Sequence, residues 1–169
     1  MRARTRAKQR NEGDKRLVGF IIGNVQYALD IDRVREIVNP SATSSIPHMP
    51  DVVIGVADHR GEVVPLVDAR KHFGLPPVAA TRATKWILLT GEGQLLGLVV
   101  DRVTDVFGSS TPPREPPPAL GSPQTRGVSY VASREGELVF VLDADKLARL
   151  VAGTAAGTRP GTVLGGDAG

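Results

Sequence analysis

The sequence predicts a mainly β protein, two copies of one unit that each close into a small barrel of about five short strands, with a few short helices. Three observations predict it. Apolar runs are strand-sized and are joined by short turns containing glycine. Segments of the first half recur in the second half in the same order. Each copy has too few strands for a large sandwich, and closing them into a barrel removes exposed edges.

Order is expected from about Arg16 onward. Leu17–Ile22 reads as a strand, Gly23-Asn24 as a turn and Val25–Leu29 as a second strand. Asp30 is placed to cap a short helix in which Ile31, Val34 and Val38 recur at helical spacing, ended by Asn39-Pro40. Ser41–Pro50 is extended and bounded by prolines. Val52–Ala57 and Glu62–Val67 are strands around the turn Asp58-His59-Arg60-Gly61, and Asp68 caps a second short helix closed by Gly74. The repeat then becomes visible. Tyr27–Val38 resembles Leu96–Phe107, with Asp32-Arg33-Val34 falling on Asp101-Arg102-Val103 at an offset of 69 residues. The same offset lays Leu17–Ile22 on Trp86–Gly91, and an offset of 75 lays Leu66-Val67-Asp68 on Val141-Leu142-Asp143. The repeat predicts one domain over 16–152 with subdomains at about 16–80 and 84–152. Thr111–Gly127, with six prolines, reads as a long surface loop. Leu138–Leu142 is a strand, and Asp143 caps a helix with Leu147, Leu150 and Val151 on one face, ended by Gly153. The tails 1–15 and 153–169 carry little that could pack and are expected to be disordered.

The absence of cysteine excludes disulfides, thiolate metal sites and cysteine nucleophiles, and it fits a reducing cytosol. The longest apolar runs, such as Leu95–Val100, are far short of a membrane span, and the basic N-terminus lacks the apolar stretch of a signal peptide. The formal charge of +3 belongs to the tail, because residues 1–16 alone carry +5 and the remaining 153 carry −2. That tail has no aromatic to stack on bases, so it is read as a solvated leader rather than a nucleic-acid or membrane arm.

The residues give no catalytic or metal constellation, and no cofactor is expected. His48, His59 and His72 share no metal-ligand spacing. Gly91-Glu-Gly93-Gln-Leu-Leu-Gly97 comes close to a dinucleotide fingerprint but lies between two strands, where a hairpin turn explains it. Asp30, Asp68, Asp101 and Asp143 each follow a strand and precede a helical pattern, and capping accounts for all four. What remains is surface interaction. Two packed barrels leave a junction, with Ile31, Val34, Leu98 and Val103 either lining it as a groove or filling it as core.

Phe20, Tyr27–Val38, Ile46-Pro47, Pro50, Gly55-Val56 and the run Arg60-Gly-Glu-Val-Val-Pro65-Leu-Val-Asp68 together resemble the CheW domain, as do Leu96–Val106 and Leu138–Leu147. The resemblance covers roughly residues 16–151. It implies two five-stranded, SH3-like barrels with a shared hydrophobic core. It also implies a non-enzymatic adaptor of chemotaxis signalling, found in the cytoplasm at receptor–kinase arrays. Such an adaptor couples the cytoplasmic tip of chemoreceptors to the regulatory domain of a CheA-type histidine kinase. The receptor-contact positions implied by the resemblance are Ile31, Val34, Glu36, Gly55, Arg60, Leu98 and Val103. Two departures stand out: Asp58-His59 replaces the usual Asn-Leu, and the strand around Tyr130–Glu137 reads as shortened. The second departure keeps an alternative open, an accessory adaptor that binds receptors but engages the kinase weakly or not at all.

Overall fold

The computed structural model describes residues 15–116 and 126–157. The expectations for the tails 1–14 and 158–169, and for much of the proline-rich loop, lie outside the described residues. Ten strands are described: β1 Arg16–Ile22, β2 Val25–Asp30, β3 Val34–Val38, β4 Val53–His59, β5 Glu62–Asp68, β6 Lys85–Gly91, β7 Gln94–Val100, β8 Arg102–Gly108, β9 Val128–Arg134 and β10 Glu137–Leu142. Two α-helices follow β5 and β10, α1 at Ala69–His72 and α2 at Ala144–Gly157. They form two five-stranded sheets, as the fold class predicts. The first has the order β8-β1-β2-β10-β9 and the second β3-β6-β7-β5-β4.

Neither sheet comes from one half of the chain. The hairpins β1–β2 and β6–β7 are exchanged, so the units 16–80 and 84–152 do not each close a sheet of their own. The exchange rests on two parallel pairings, Val141 opposite Ala28 and Leu66 opposite Gly97, which are the same contact in the two copies. The repeat extends to irregularities. Both β3 and β8 carry a register shift against their partners, after Val34 and Val103 respectively. Isolated bridges Ser44–Val56 and Arg114–Val131 clip the two copies at equivalent places.

The exchange explains why the hairpin strands are apolar on consecutive positions instead of alternating. Each is buried on both faces. In β6 and β7, Trp86, Leu88, Leu95 and Val99 face a small core inside the second sheet's barrel with Ala57, Val64 and Leu66. Their neighbours Ile87, Leu89, Leu96, Leu98 and Val100 face a larger core shared by both sheets. β1 and β2 do the same, with Leu17 and Ala28 in the first barrel's core and Phe20, Ile22, Tyr27 and Leu29 in the shared one. Tyr27 stacks on Phe73 at 4.4 Å between ring centroids, which anchors the end of α1 there. The junction is therefore filled, and it is the main core.

Three sequence expectations change. Ile31, Val34 and Val38 do not share a helix: Ile31–Arg33 is one 3-10 turn, and Val34–Val38 is strand β3, half-buried at Val34, Glu36 and Val38 and exposed at Arg35 and Ile37. Pairing with β6 offers these β-branched residues a full ladder, which a short helix does not. Asp30, Asp68 and Asp143 do cap, each accepting from a backbone N–H two residues on, but Asp101 does not. The chain after it continues as β8, and its carboxylate instead accepts from Gly23 N at 2.7 Å and from Arg70 at 2.9 and 2.8 Å. Helix α2 runs past Gly153 to Gly157.

Candidate functional site

In the second sheet the two edge strands, β3 and β4, are brought together by side chains. Glu36 from β3 reaches the end of β4 and its turn. Its Oε1 lies 3.2 Å from His59 Nε2 and 3.1 Å from Arg60 Nη1, and its Oε2 accepts from Arg60 Nη2 at 3.2 Å. Next to this cluster Arg35 donates to Glu62 at 3.0 Å. Arg60 and Gly61 form the two-residue turn, with φ of 52° and 85°. A left-handed pair of this kind matches the twist of the flanking strands. It lifts the Arg60 side chain off the body, where it is 75% exposed although tied back to Glu36, itself 30% exposed. A cavity of about 110 Å³ opens beside the cluster, between Val38, Asn39, Asp58, His59 and Trp86.

Of the seven residues singled out in the sequence, Glu36 and Arg60 are therefore brought into direct contact. Gly55, buried in β4, has a φ of 150°, and a Cβ there would lie 2.6 Å from the Ser44 carbonyl oxygen. Its role is to let the 44–45 segment approach β4 closely and bridge to Val56. Ile31 stands 38% exposed on the 3-10 turn. Val34 and Val103, equivalent under the 69-residue offset, are half-buried against the shared core from edge strands of different sheets. Leu98 is 0% exposed in the middle of β7. It is core and supports the surface from beneath; no partner can touch it, which corrects its assignment as a contact.

His59, Arg35 and Glu62 were not singled out. The repeat contains the missing signal. Under the two offsets Glu36 falls on Asp105 and His59 on Arg134, and Asp105 and Arg134 form the equivalent ion pair that joins β8 to β9 in the first sheet. The Arg134 guanidinium also lies over Phe107, 4.9 Å from the ring centre. The tips differ in sign, Arg60-Gly61 on one barrel and Glu135-Gly136 on the other. The strand around Tyr130 is not shortened: β9 spans seven residues, as does β4, and pairs with β10 from its tip inward.

Two carboxylate–guanidinium clamps hold the frame that presents these tips. Arg33 pairs with Asp145 at 2.8 and 3.0 Å, and Asp145 also accepts from Glu92 N in the β6–β7 turn. Arg70 pairs with Asp101, which accepts from Gly23 N in the β1–β2 turn. Gly23 and Glu92 are equivalent positions, so one device occurs twice with the charges reversed. The Arg33 hydrogen bonds hold the Asp145 carboxyl below the ordinary range. Burial opposes ionisation of Asp101, but the Arg70 and Gly23 hydrogen bonds outweigh it and lower its pKa too. Among the described residues no three His, Asp or Glu side chains converge as a metal site, and no helix is long and apolar enough to cross a membrane.

The model of the CheW-like domain family matches residues 16–152. Among curated proteins, the chemotaxis protein CheW of Helicobacter pylori is 29% identical over 137 residues, which span 81% of this chain and 83% of the relative. The probable chemotaxis protein CheW of Rhizobium etli is 31% identical over 68% of this chain and 74% of its own length. The crystal structure of the scaffolding protein TtCheW from Thermoanaerobacter tengcongensis superposes with a TM-score of 0.71 at 27% identity, covering 77% of this chain and 89% of that one.

Proposed function

The chain belongs to the CheW-like domain family, and on that premise we propose how its surface serves the family's work. The protein is a chemotaxis adaptor, a scaffold coupling chemoreceptors to a CheA-type histidine kinase. In our reading the receptor's cytoplasmic tip docks at the meeting edges of β3 and β4. Glu36 and Arg60 form the polar rim, and Ile31, Val34 and Val103 supply the apolar contact. Gly55 and Leu98 act indirectly, the first by shaping β4 and the second by supporting the sheet. The regulatory domain of the kinase then engages the other barrel, whose strands β9 and β10 are complete. No bond is made or broken. The adaptor shifts the kinase between arrangements through differential binding, the only way a ligand biases an equilibrium. The working place of such a protein is the cytoplasmic face of a receptor–kinase array.

The observation that carries this reading is Arg60, a cation raised on a rigid two-residue turn and held back by a single carboxylate. Rim charges of this kind fix orientation and partner choice more than affinity. The test is titration calorimetry of the protein against a receptor cytoplasmic fragment and, separately, against a kinase regulatory domain. Both should bind. Arg60→Glu should weaken the receptor complex about tenfold or more while the kinase complex is unchanged. Equal loss of both, or of neither, would remove Arg60 from the receptor surface.

A further inference from the structure

Resting on the receptor-facing reading of this rim, we propose that His59 is a positioning residue that sets, through Glu36, how much of the Arg60 charge is free for an acidic partner. The imidazole and the guanidinium share one oxygen, Glu36 Oε1, at 3.2 and 3.1 Å. His59 is only 22% exposed and lies inside the cluster, whereas Arg60 projects from it. A neutral imidazole donates a plain hydrogen bond to Glu36 and leaves the carboxylate's charge to Arg60. An imidazolium makes a charge-assisted bond of about twice the strength and competes with Arg60 for the same oxygen. Protonation therefore weakens the hold of Arg60 on Oε1, leaves it tethered through Oε2 alone at 3.2 Å, and raises the rim by one unit of charge. The projecting group is a cation, so the partner surface it suits carries carboxylates.

The other copy of the repeat supports this assignment. At the position equivalent to His59 it carries Arg134, a permanent cation, paired with Asp105 at the position equivalent to Glu36. The slot beside the β3 carboxylate is thus built for a positive charge. This barrel fills it with a histidine, which can meet the carboxylate either as a neutral donor or as a cation. Glu36 and Arg35 come from β3, Asp58 precedes it on β4 and accepts from Gly61 N, and Glu62 sits opposite it on β5 in a pair with Arg35. From β6 the neighbours are Trp86 and Leu88, both uncharged.

The experiment measures the Kd of a receptor cytoplasmic fragment by calorimetry from pH 8 to pH 5.5 at low salt, for the wild type, His59→Gln and His59→Arg. The wild type should tighten about threefold to tenfold on acidification. His59→Gln, which keeps a donor but cannot charge, should match the wild type at pH 8 and stay flat. His59→Arg, which copies the other barrel, should bind tightly throughout and also stay flat. His48 and His72 remain in every variant, so any slope lost in His59→Gln belongs to His59. A wild-type slope retained in His59→Gln, a flat wild type, or weakening in acid would each overturn the role of His59 while leaving the receptor reading intact. A wild type that fails to bind the fragment at any pH would overturn both.

Discussion

Gly55→Ala isolates what the odd backbone of β4 contributes. At φ 150° the residue lies where side-chain-bearing residues hardly go, which costs about 1–3 kcal/mol. The new methyl would also sit 2.6 Å from the Ser44 carbonyl oxygen and 3.2 Å from its carbon, both backbone atoms that cannot rotate away. The Ser44–Val56 bridge must open, losing two hydrogen bonds of 2.8 Å at about 1 kcal/mol each. The expected loss is about 3–5 kcal/mol, a large part of the 5–15 kcal/mol typical of a domain. Urea unfolding monitored by circular dichroism and by the single tryptophan, Trp86, would measure it. Gly61→Ala is the matched control. It has φ 85° but open space around its Cβ, so it should lose only about 1 kcal/mol of backbone strain. Equal losses for the two, or less than about 1 kcal/mol for Gly55→Ala, would refute the claim that this glycine is there to let the 44–45 segment approach β4 closely.

Leu98→Ala should destabilise by about 2–5 kcal/mol, as large-to-small changes at fully buried sites do, while the receptor affinity of the folded fraction is unchanged. Asp101→Asn should cost about 2 kcal/mol by uncoupling Arg70 from the β1–β2 turn, since its side chain and that of Arg70 are 24% and 18% exposed. The folded pKa of Asp101 is depressed, so its contribution is complete above the unfolded value of about 3.9 and disappears as pH falls through the folded one; the variant should flatten acid unfolding in that window. His72 is also depressed, by burial first, while its Nε2 donates to the Arg126 carbonyl at 3.0 Å. Stability should therefore fall as pH drops below about 6.5, with a slope of at most about 1.4 kcal/mol per pH unit, and His72→Gln should remove that slope in denaturant titrations at pH 5 to 7.

The hairpins were legible because glycine at a two-residue turn between apolar runs has few other uses, and Gly61, Gly93 and Gly136 all sit at such tips. The duplication was legible too, down to the Asp-Arg-Val match. The partner of each hairpin was not. Similarity between copies identifies a unit, and an exchanged pair of hairpins leaves that similarity untouched. Strand β3 was misread for a specific reason: its inward face is Val34, Glu36 and Val38, and a glutamate in the middle hides the two-residue period that would have identified a strand. Asp101 was misread because a carboxylate after a strand looks the same whether it caps a helix or receives an arginine from 31 residues away. At the candidate site, Glu36 and Arg60 were found through resemblance. His59 became visible only once the geometry put it on the same oxygen.

The exchanged hairpins also set a timetable for synthesis. The second sheet needs only residues 34–100 and can assemble while the ribosome is still working. The first sheet cannot. Strands β1 and β2 leave the ribosome before the other strands, yet the parallel neighbour of β2 is β10, with Phe140 seated opposite Tyr27. Until β10 emerges, a hairpin that is apolar on both faces waits while about a hundred further residues are made. Long-range pairing of this kind folds slowly and leaves strand edges open to wrong partners. Nascent chains should therefore be most prone to aggregate, and most dependent on holding chaperones, in the interval between the completion of β7 and the arrival of β10.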